Sequence, residues 1–163
     1  MPSLVDPHIG FVSYQEALLD GSISPTPCES HPELFVMRDE PEPESGVQRL
    51  TYAFNSGKVS KAYAVYIQAN PLDGKPCFGI GYATADPFRN QGLATEIVIA
   101  SMRELKQGLS RHLRKPGFYV EAIVGIDNHA SQKVAARTLS DSPHSITDDE
   151  SGLPALHYVK LVG

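Results

Sequence analysis

Ala85-Asp86-Pro87-Phe88-Arg89-Asn90-Gln91-Gly92-Leu93-Ala94-Thr95 joins two segments of different period. Before it, residues 78–85 (FGIGYATA) read as a strand. After it, residues 92–109 (GLATEIVIASMRELKQGL) carry apolar side chains at 93, 94, 97, 98, 102, 105 and 109, the spacing of one helix face. Pro87 ends the strand because it has no N–H to give to a ladder. Gly92 and Ala94 are small where the helix begins, so another group can approach the backbone closely. The first N–H groups of a helix have no internal acceptor, and the helix dipole is positive at that end. Arg89 adds a permanent charge. The junction is thus a candidate anion site, and a diphosphate suits it. The bland reading of the same residues is a strand–helix joint whose small side chains only ease packing. Other phosphate loops are excluded by residue type. There is no GxxxxGK[ST]. Gly79-Ile80-Gly81 begins a GxG, but the third glycine is missing and a strand follows where a helix is needed.

Upstream of the junction the chain is strand-rich. Residues 49–54 (RLTYAF) alternate and end at the turn Asn55-Ser56-Gly57. Residues 61–69 (KAYAVYIQA) form the partner strand, closed by Asn70-Pro71, and Asp73-Gly74 turns the chain into 78–85. Three strands on short turns predict an antiparallel meander. The first 46 residues are weakly patterned. Residues 13–19 (SYQEALL) suit a short helix stopped by Asp20-Gly21, and Pro25, Pro27 and Pro32 argue against regular structure after it. Residues 39–44 (DEPEPE) make an acidic, proline-broken loop. It reads either as a solvated connection or as a flap suited to a basic substrate.

Downstream, residues 118–126 (FYVEAIVGI) are nearly all apolar, the pattern of a strand buried on both faces. Asp127 or Asn128 can cap a helix running through Leu139, with Ala130, Val134 and Leu139 turned inward. Ser140-Asp141-Ser142-Pro143 stops it, and residues 156–162 (LHYVKLV) are a last strand. The expected architecture is a single α/β domain over 1–163, a mixed and mostly antiparallel sheet flanked by helices.

Composition fits that expectation. Of 163 residues 41% are hydrophobic and 20% charged, and the 13 glycines bring the apolar class near half, as in ordinary globular folds. The net charge of -5 disfavours a nucleic-acid binder and attachment through a polybasic membrane surface. No apolar run is long enough to span a bilayer, and the first ten residues hold no basic residue, so neither a membrane span nor a signal peptide is expected. Two cysteines, Cys28 and Cys77, with no CxxC, exclude a disulfide framework and point to free thiols in a cytoplasmic chain. Six scattered histidines without HExxH spacing give no metal site.

Arg89-Asn90-Gln91-Gly92-Leu93-Ala94 fits [Arg/Gln]-x-x-Gly-x-[Gly/Ala], and in this respect the chain resembles the GNAT superfamily of N-acetyltransferases. Asn128-His129-Ala130-Ser131 matches the Asn-x-x-Ser that opens the next helix in the ribosomal-protein N-acetyltransferase-like branch, and Val120-Glu121-Ala122 is similar to that branch as well. The likeness covers about residues 47–139. It implies the acyl-CoA N-acyltransferase fold, with acetyl-CoA as cofactor and a core over 78–139. It implies that Ala83, Thr84 and Ala85 pair with the pantetheine arm as an added strand does. The pyrophosphate would rest on the amides of Asn90, Gln91, Gly92, Leu93, Ala94 and Thr95 beside Arg89, with Asn128 bonding the cofactor nearer its arm. Two departures stand out. The tyrosine many relatives carry seven residues after the Asn is Ala135 here, and Leu139-Ser140 replaces the usual Gly-Phe.

Acetyl transfer to an amine needs a base, a donor to the developing oxyanion and a proton for the departing thiolate. Glu121 is the candidate base. Period two puts Tyr119, Glu121, Ile123 and Gly125 on one face of its strand, and partial desolvation there favours proton uptake by a carboxylate. Its structural reading is a buried Glu paired with an Arg or a tyrosine hydroxyl. Ser131 is the candidate donor to the thiolate, from the family pattern, against the reading of a first-turn serine on a helix amide. Tyr82 and Tyr158 are hydroxyls on strands, read first as core. Arg103, Lys106, Arg111, Arg114 and Lys115 read as a solvated face, with a weaker link to the 3′-phosphate of CoA. The histidines receive no role, and His157 reads as a residue of the outer face. The function expected is acetyl transfer from acetyl-CoA to a primary amine of a small molecule or peptide, by direct attack in a ternary complex. The alternative is a non-catalytic acyl-CoA-binding module. A homodimer is compatible with such a fold.

Overall fold

An aspartate followed by proline is a strong helix start, and it sets the first element. In a computed structural model that describes residues 6–113 and 117–163, α1 is Pro7–Asp20, with the Asp6 side chain accepting from the His8 N–H at 3.0 Å. Gly21, at φ 79°, ends it by giving its N–H to the Ala17 carbonyl. The helix therefore starts well before the expected Ser13. The apolar pattern of 13–19 marked its inner turns, while the start signal lay at Asp6-Pro7.

The strands are β1 (Thr26–Pro27), β2 (Leu34–Asp39), β3 (Arg49–Ser56), β4 (Val59–Leu72), β5 (Lys75–Thr84), β6 (Phe118–Gly125), β7 (His144–Thr147) and β8 (Pro154–Val162). They form one sheet in the order β1-β2-β3-β4-β5-β6-β8-β7. Among the described residues only β5 and β6 run parallel. Helices α2 (Leu93–Ser110) and α3 (His129–Thr138) follow β5 and β6, and a 3-10 turn, Asp86–Phe88, leads into α2. The sheet is mixed and mostly antiparallel, as the sequence predicts.

Four local expectations are corrected. First, β2 pairs with β3 over six rungs despite the prolines around it, because Pro32 precedes the strand and Pro27 sits on the edge, where a missing N–H costs nothing. Asp39 thereby leaves the acidic loop. It lies opposite Arg49 in the ladder, accepting from Arg49 Nε at 2.9 Å. Second, β4 runs through Asn70-Pro71, which fall in a bulge between Ala69 and Leu72. Third, β6 is buried on one face only. Phe118, Val120, Ala122 and Val124 are buried while Ile123 is 44% exposed. Fourth, Ala130 of α3 faces outward, and the inward set is Val134, Ala135, Thr138 and Leu139.

One sheet face carries α2 and α3, packed on Tyr52, Tyr66, Ile80 and Val120. The other carries α1, whose Phe11, Tyr14 and Leu18 meet Ala53 and Tyr63. Ile97, Val98 and Leu105 of α2 are fully or almost fully buried, and each such side chain contributes about 1.5–3 kcal/mol. A buried hydroxyl pair, Tyr66 Oη and Ser101 Oγ at 2.7 Å, ties α2 to β4. Tyr66→Phe is expected to cost about 1 kcal/mol, a typical net hydrogen bond, because Ser101 keeps its bond to the Val98 carbonyl. A lower urea midpoint at unchanged slope is the readout.

Candidate active site

Strands β5 and β6 pair over three rungs only: Cys77–Tyr119, Phe78–Val120 and Gly79–Glu121. Beyond Gly79, β5 keeps its ladder with β4 up to Thr84, and β6 keeps its ladder with β8 up to Gly125. The two strands part, and each turns an unpaired backbone edge to the gap. Side chains of a parallel pair stay together only while the rungs hold, so the gap is written in the register.

The gap opens into a cleft of about 650 Å³. Ala83, Thr84, Arg89, Asn90, Gly92, Leu93, Ala94, Thr95, Asn128 and Ser131 line it together. Of the residues expected at the site, Ala85, Gln91 and Glu121 do not line it. Ala85 packs toward the α1 side. Glu121 sits at the last paired rung, on the sheet face opposite Ala122.

Both helix starts meet at the cleft. Asn90 and Gly92 adopt left-handed backbone, at φ 63° and 74°, which curls the loop into α2. The Glu96 N–H bonds the Gly92 carbonyl at 3.0 Å. Among the described residues, the amides of 92 to 95 make no hydrogen bond, as the first turn of a helix requires. Asn128 caps α3, its Oδ1 accepting from the Ser131 N–H at 3.1 Å. That fixes the orientation of the side-chain amide and leaves its NH2 for a ligand. In a chain of net charge -5 the cleft lining carries Arg89, Lys133 and Arg137 against one carboxylate, Asp6. Lys133 and Arg137 stand four apart on α3, a spacing legible in the sequence but not singled out from it. Arg89 is not free: its Nη2 lies 3.0 Å from Asp86 Oδ1.

Tyr82 reaches from β5 to α3. Its hydroxyl donates to the Ser131 carbonyl at 2.7 Å and accepts from Ser131 Oγ at 2.8 Å. Burial, more than any neighbour, pushes this phenol up to about 12, so it stays protonated at neutral pH. The Ser131 proton thus points at Tyr82. Tyr158 is buried in the core.

On the other sheet face Glu121 Oε2 lies 2.8 Å from His157 Nε2. The expected partner was an arginine or a tyrosine, and His157 carried no role. A contact between residues 36 apart becomes visible only once β6 and β8 are in register. The Cys77 thiol is pushed up to about 11, first by burial and then by the Glu121 charge, and is protonated and unreactive at neutral pH. Of the basic cluster, Arg114 and Lys115 lie outside the described residues, while Arg103 and Lys106 line a separate shallow cavity with Arg137 and Lys160. Among the described residues no group of three or more His, Cys, Asp or Glu is placed to hold a metal ion, and no helix is long and apolar enough to cross a membrane.

A family described as an acetyltransferase (GNAT) domain matches residues 29–138. No curated protein matches the chain in sequence. Among solved structures, an acetyl transferase of Salmonella typhimurium that modifies the N-terminal serine of 50S ribosomal subunit protein L7/L12 is similar at 17% identity and TM-score 0.50, over 71% of this chain and 64% of its own. A GNAT-family acetyltransferase of Streptococcus pneumoniae is similar at 12% identity and TM-score 0.51, over 71% and 67%. The ribosomal-protein-S5-alanine acetyltransferase of Vibrio fischeri is similar at 11% identity and TM-score 0.51, over 73% and 63%. At these identities the likeness is one of fold. This chain spans less than two thirds of the length of the Salmonella and Vibrio proteins.

Proposed function

The chain belongs to the GNAT acetyltransferase family, and from that premise we propose that it transfers an acetyl group from acetyl-CoA to a primary amine by direct attack in a ternary complex. The observation that carries the reading is the parting of β5 and β6 beside helix amides that have no acceptor. An extended arm fits an unpaired strand edge, and a diphosphate fits free amides.

Acetyl-CoA, when bound, supplies a thioester acyl group. Along the open edge of β5 the Thr84 backbone pairs with its arm, while Ala85 gives its N–H to the Lys61 carbonyl on the β4 side. The amides from Asn90 to Thr95 hold the diphosphate, and Arg89 leaves Asp86 to join them. Asn128 donates its amide NH2 to the arm. Residues 78–139 form this cofactor core within a single acetyltransferase domain. Glu121 takes the proton that the acceptor ammonium must lose before it can attack. Ser131 turns its hydroxyl from Tyr82 to give its proton at the sulfur end and regains one from water, while Tyr82, donating to the Ser131 carbonyl, holds the residue in place. The acceptor is a peptide or small-molecule amine. The acidic residues 40, 42 and 44 and the net charge favour a cationic one.

Thermal unfolding with and without acetyl-CoA tests the first half. Saturation at about 100 Kd adds about 2.7 kcal/mol of stability, and a shift by another nucleotide but not by acetyl-CoA overturns it. Release of free CoA, followed with a thiol reagent over a panel of primary amines, tests the second. Release above the amine-free background is expected. Saturable binding with no release on any amine makes the chain an acyl-CoA-binding module.

A further inference from the structure

We propose that His157 is a positioning residue for Glu121, and that the pair, rather than the carboxylate alone, is the proton-accepting device of this chain. The inference rests on the reading of Glu121 as the base. Strand register places it. Ile123 lies opposite His157 and Glu121 opposite Val159, so the two side chains meet on a diagonal of one sheet face. Nε2 and Oε2 are 2.8 Å apart, with side chains 24% and 21% exposed.

A glutamate has three rotatable bonds, and a half-buried one must be held if one oxygen is to face a reactant. Imidazole Nε2–H donating to Oε2 does this and leaves Oε1 free of the imidazole. The flank toward β5 is open for that oxygen. The residue on the same rung is Gly79, where an added Cβ would find only the Ile67 carbonyl, at 3.9 Å. Two rungs back along β5, the Cys77 thiol is protonated and bonds the Glu121 carboxylate as a donor, so it does not compete for the proton. The other polar groups of this region have different partners or positions. Tyr119 Oη donates to Asp73 Oδ2 at 3.3 Å, and His144, paired with His157 across β7 and β8, is exposed. Beside the pair, Ile123 and Leu161 are 44% and 52% exposed, so an amine can come to the carboxylate from this side of the sheet. The proton then leaves the ammonium nitrogen for Oε1, the N–H bond breaks, and the amine keeps the electron pair with which it attacks. Bulk water takes the proton from Glu121 afterwards.

The test is a mutant cycle on the full chain. His157→Leu is expected to lower kcat about tenfold, within the cost of a misplaced reacting group, with KM for acetyl-CoA within twofold of wild type. His157→Gln, whose amide can place an N–H near the same point, is expected to restore most of it. In the Glu121→Gln background His157→Leu should cause no further loss. His144→Ala is the control and should match wild type. A second readout does not need turnover: the His157 Nε2 proton should be slow to exchange in NMR spectra of wild type and fast in Glu121→Ala, which leaves it no acceptor. An unchanged kcat in His157→Leu, equal damage from Leu and Gln, additivity with Glu121→Gln, or fast exchange in wild type overturns the proposal. Full activity in Glu121→Gln instead overturns the base itself, so the two failures are distinguishable.

Discussion

Glu121→Gln is expected to lower kcat by about 10²- to 10³-fold, the range in which a positioned base contributes, while acetyl-CoA affinity stays within twofold of wild type. The argument is one of position. Glu121 stands on the last rung before β5 and β6 part, next to the inner end of the cleft but outside its lining. Its loss removes a proton acceptor and touches no residue that holds the diphosphate. Glutamine keeps the volume and can still bond His157, so the sheet is not disturbed. Steady-state kinetics with CoA release, alongside calorimetric titration with acetyl-CoA, separate the two effects. A fall in affinity that matches the fall in rate, or no fall in rate, contradicts the assignment.

Gly92→Glu is expected to weaken acetyl-CoA binding by about 100-fold, or about 2.7 kcal/mol, with the protein still folded. Two effects add. Gly92 is at φ 74°, where a side-chain-bearing residue is strained by about 1–3 kcal/mol and the loop relaxes away from its curl. The new carboxylate then stands beside the free amides of 92 to 95 and repels the diphosphate that should occupy them. An added Cβ meets nothing within 4 Å, so no clash in the core confounds the result. Gly92→Ala separates the terms: it carries the strain without the charge and should lose about tenfold or less. Calorimetry reads both. Wild-type affinity in Gly92→Glu contradicts the diphosphate site.

What the sequence disclosed followed from local chemistry. The helix after Gly92, the strand before Pro87 and the Asn128 cap each show in a window of a dozen residues. The parts that escaped needed partners far along the chain. Strand β2 looked broken because Pro27 and Pro32 lie beside it, yet its pairing with β3 decided its state. The all-apolar run of β6 implied burial on both faces, but α1 covers the sheet only as far as β5, and Ile123 is left open. Ala130 fell on the apolar stripe of α3 and faces the cleft. The Tyr82–Ser131 and Glu121–His157 contacts span 49 and 36 residues. Neither follows from spacing: the first needs α3 docked against β5, and the second needs the β6–β8 register, where a slip of one residue would turn the side chains to opposite faces.

The ion pair between Asp86 and Arg89 has a consequence for selectivity. Without ligand the guanidinium already has one negative charge at 3.0 Å. A chloride or acetate ion arriving there exchanges one single charge for another and gains little. A group bearing two charges, able to reach the neighbouring amides as well, gains on both counts, and an exposed pair of this kind costs little to separate. On the proposed reading, the mouth of the cleft favours a doubly charged group over the simple salts that surround it.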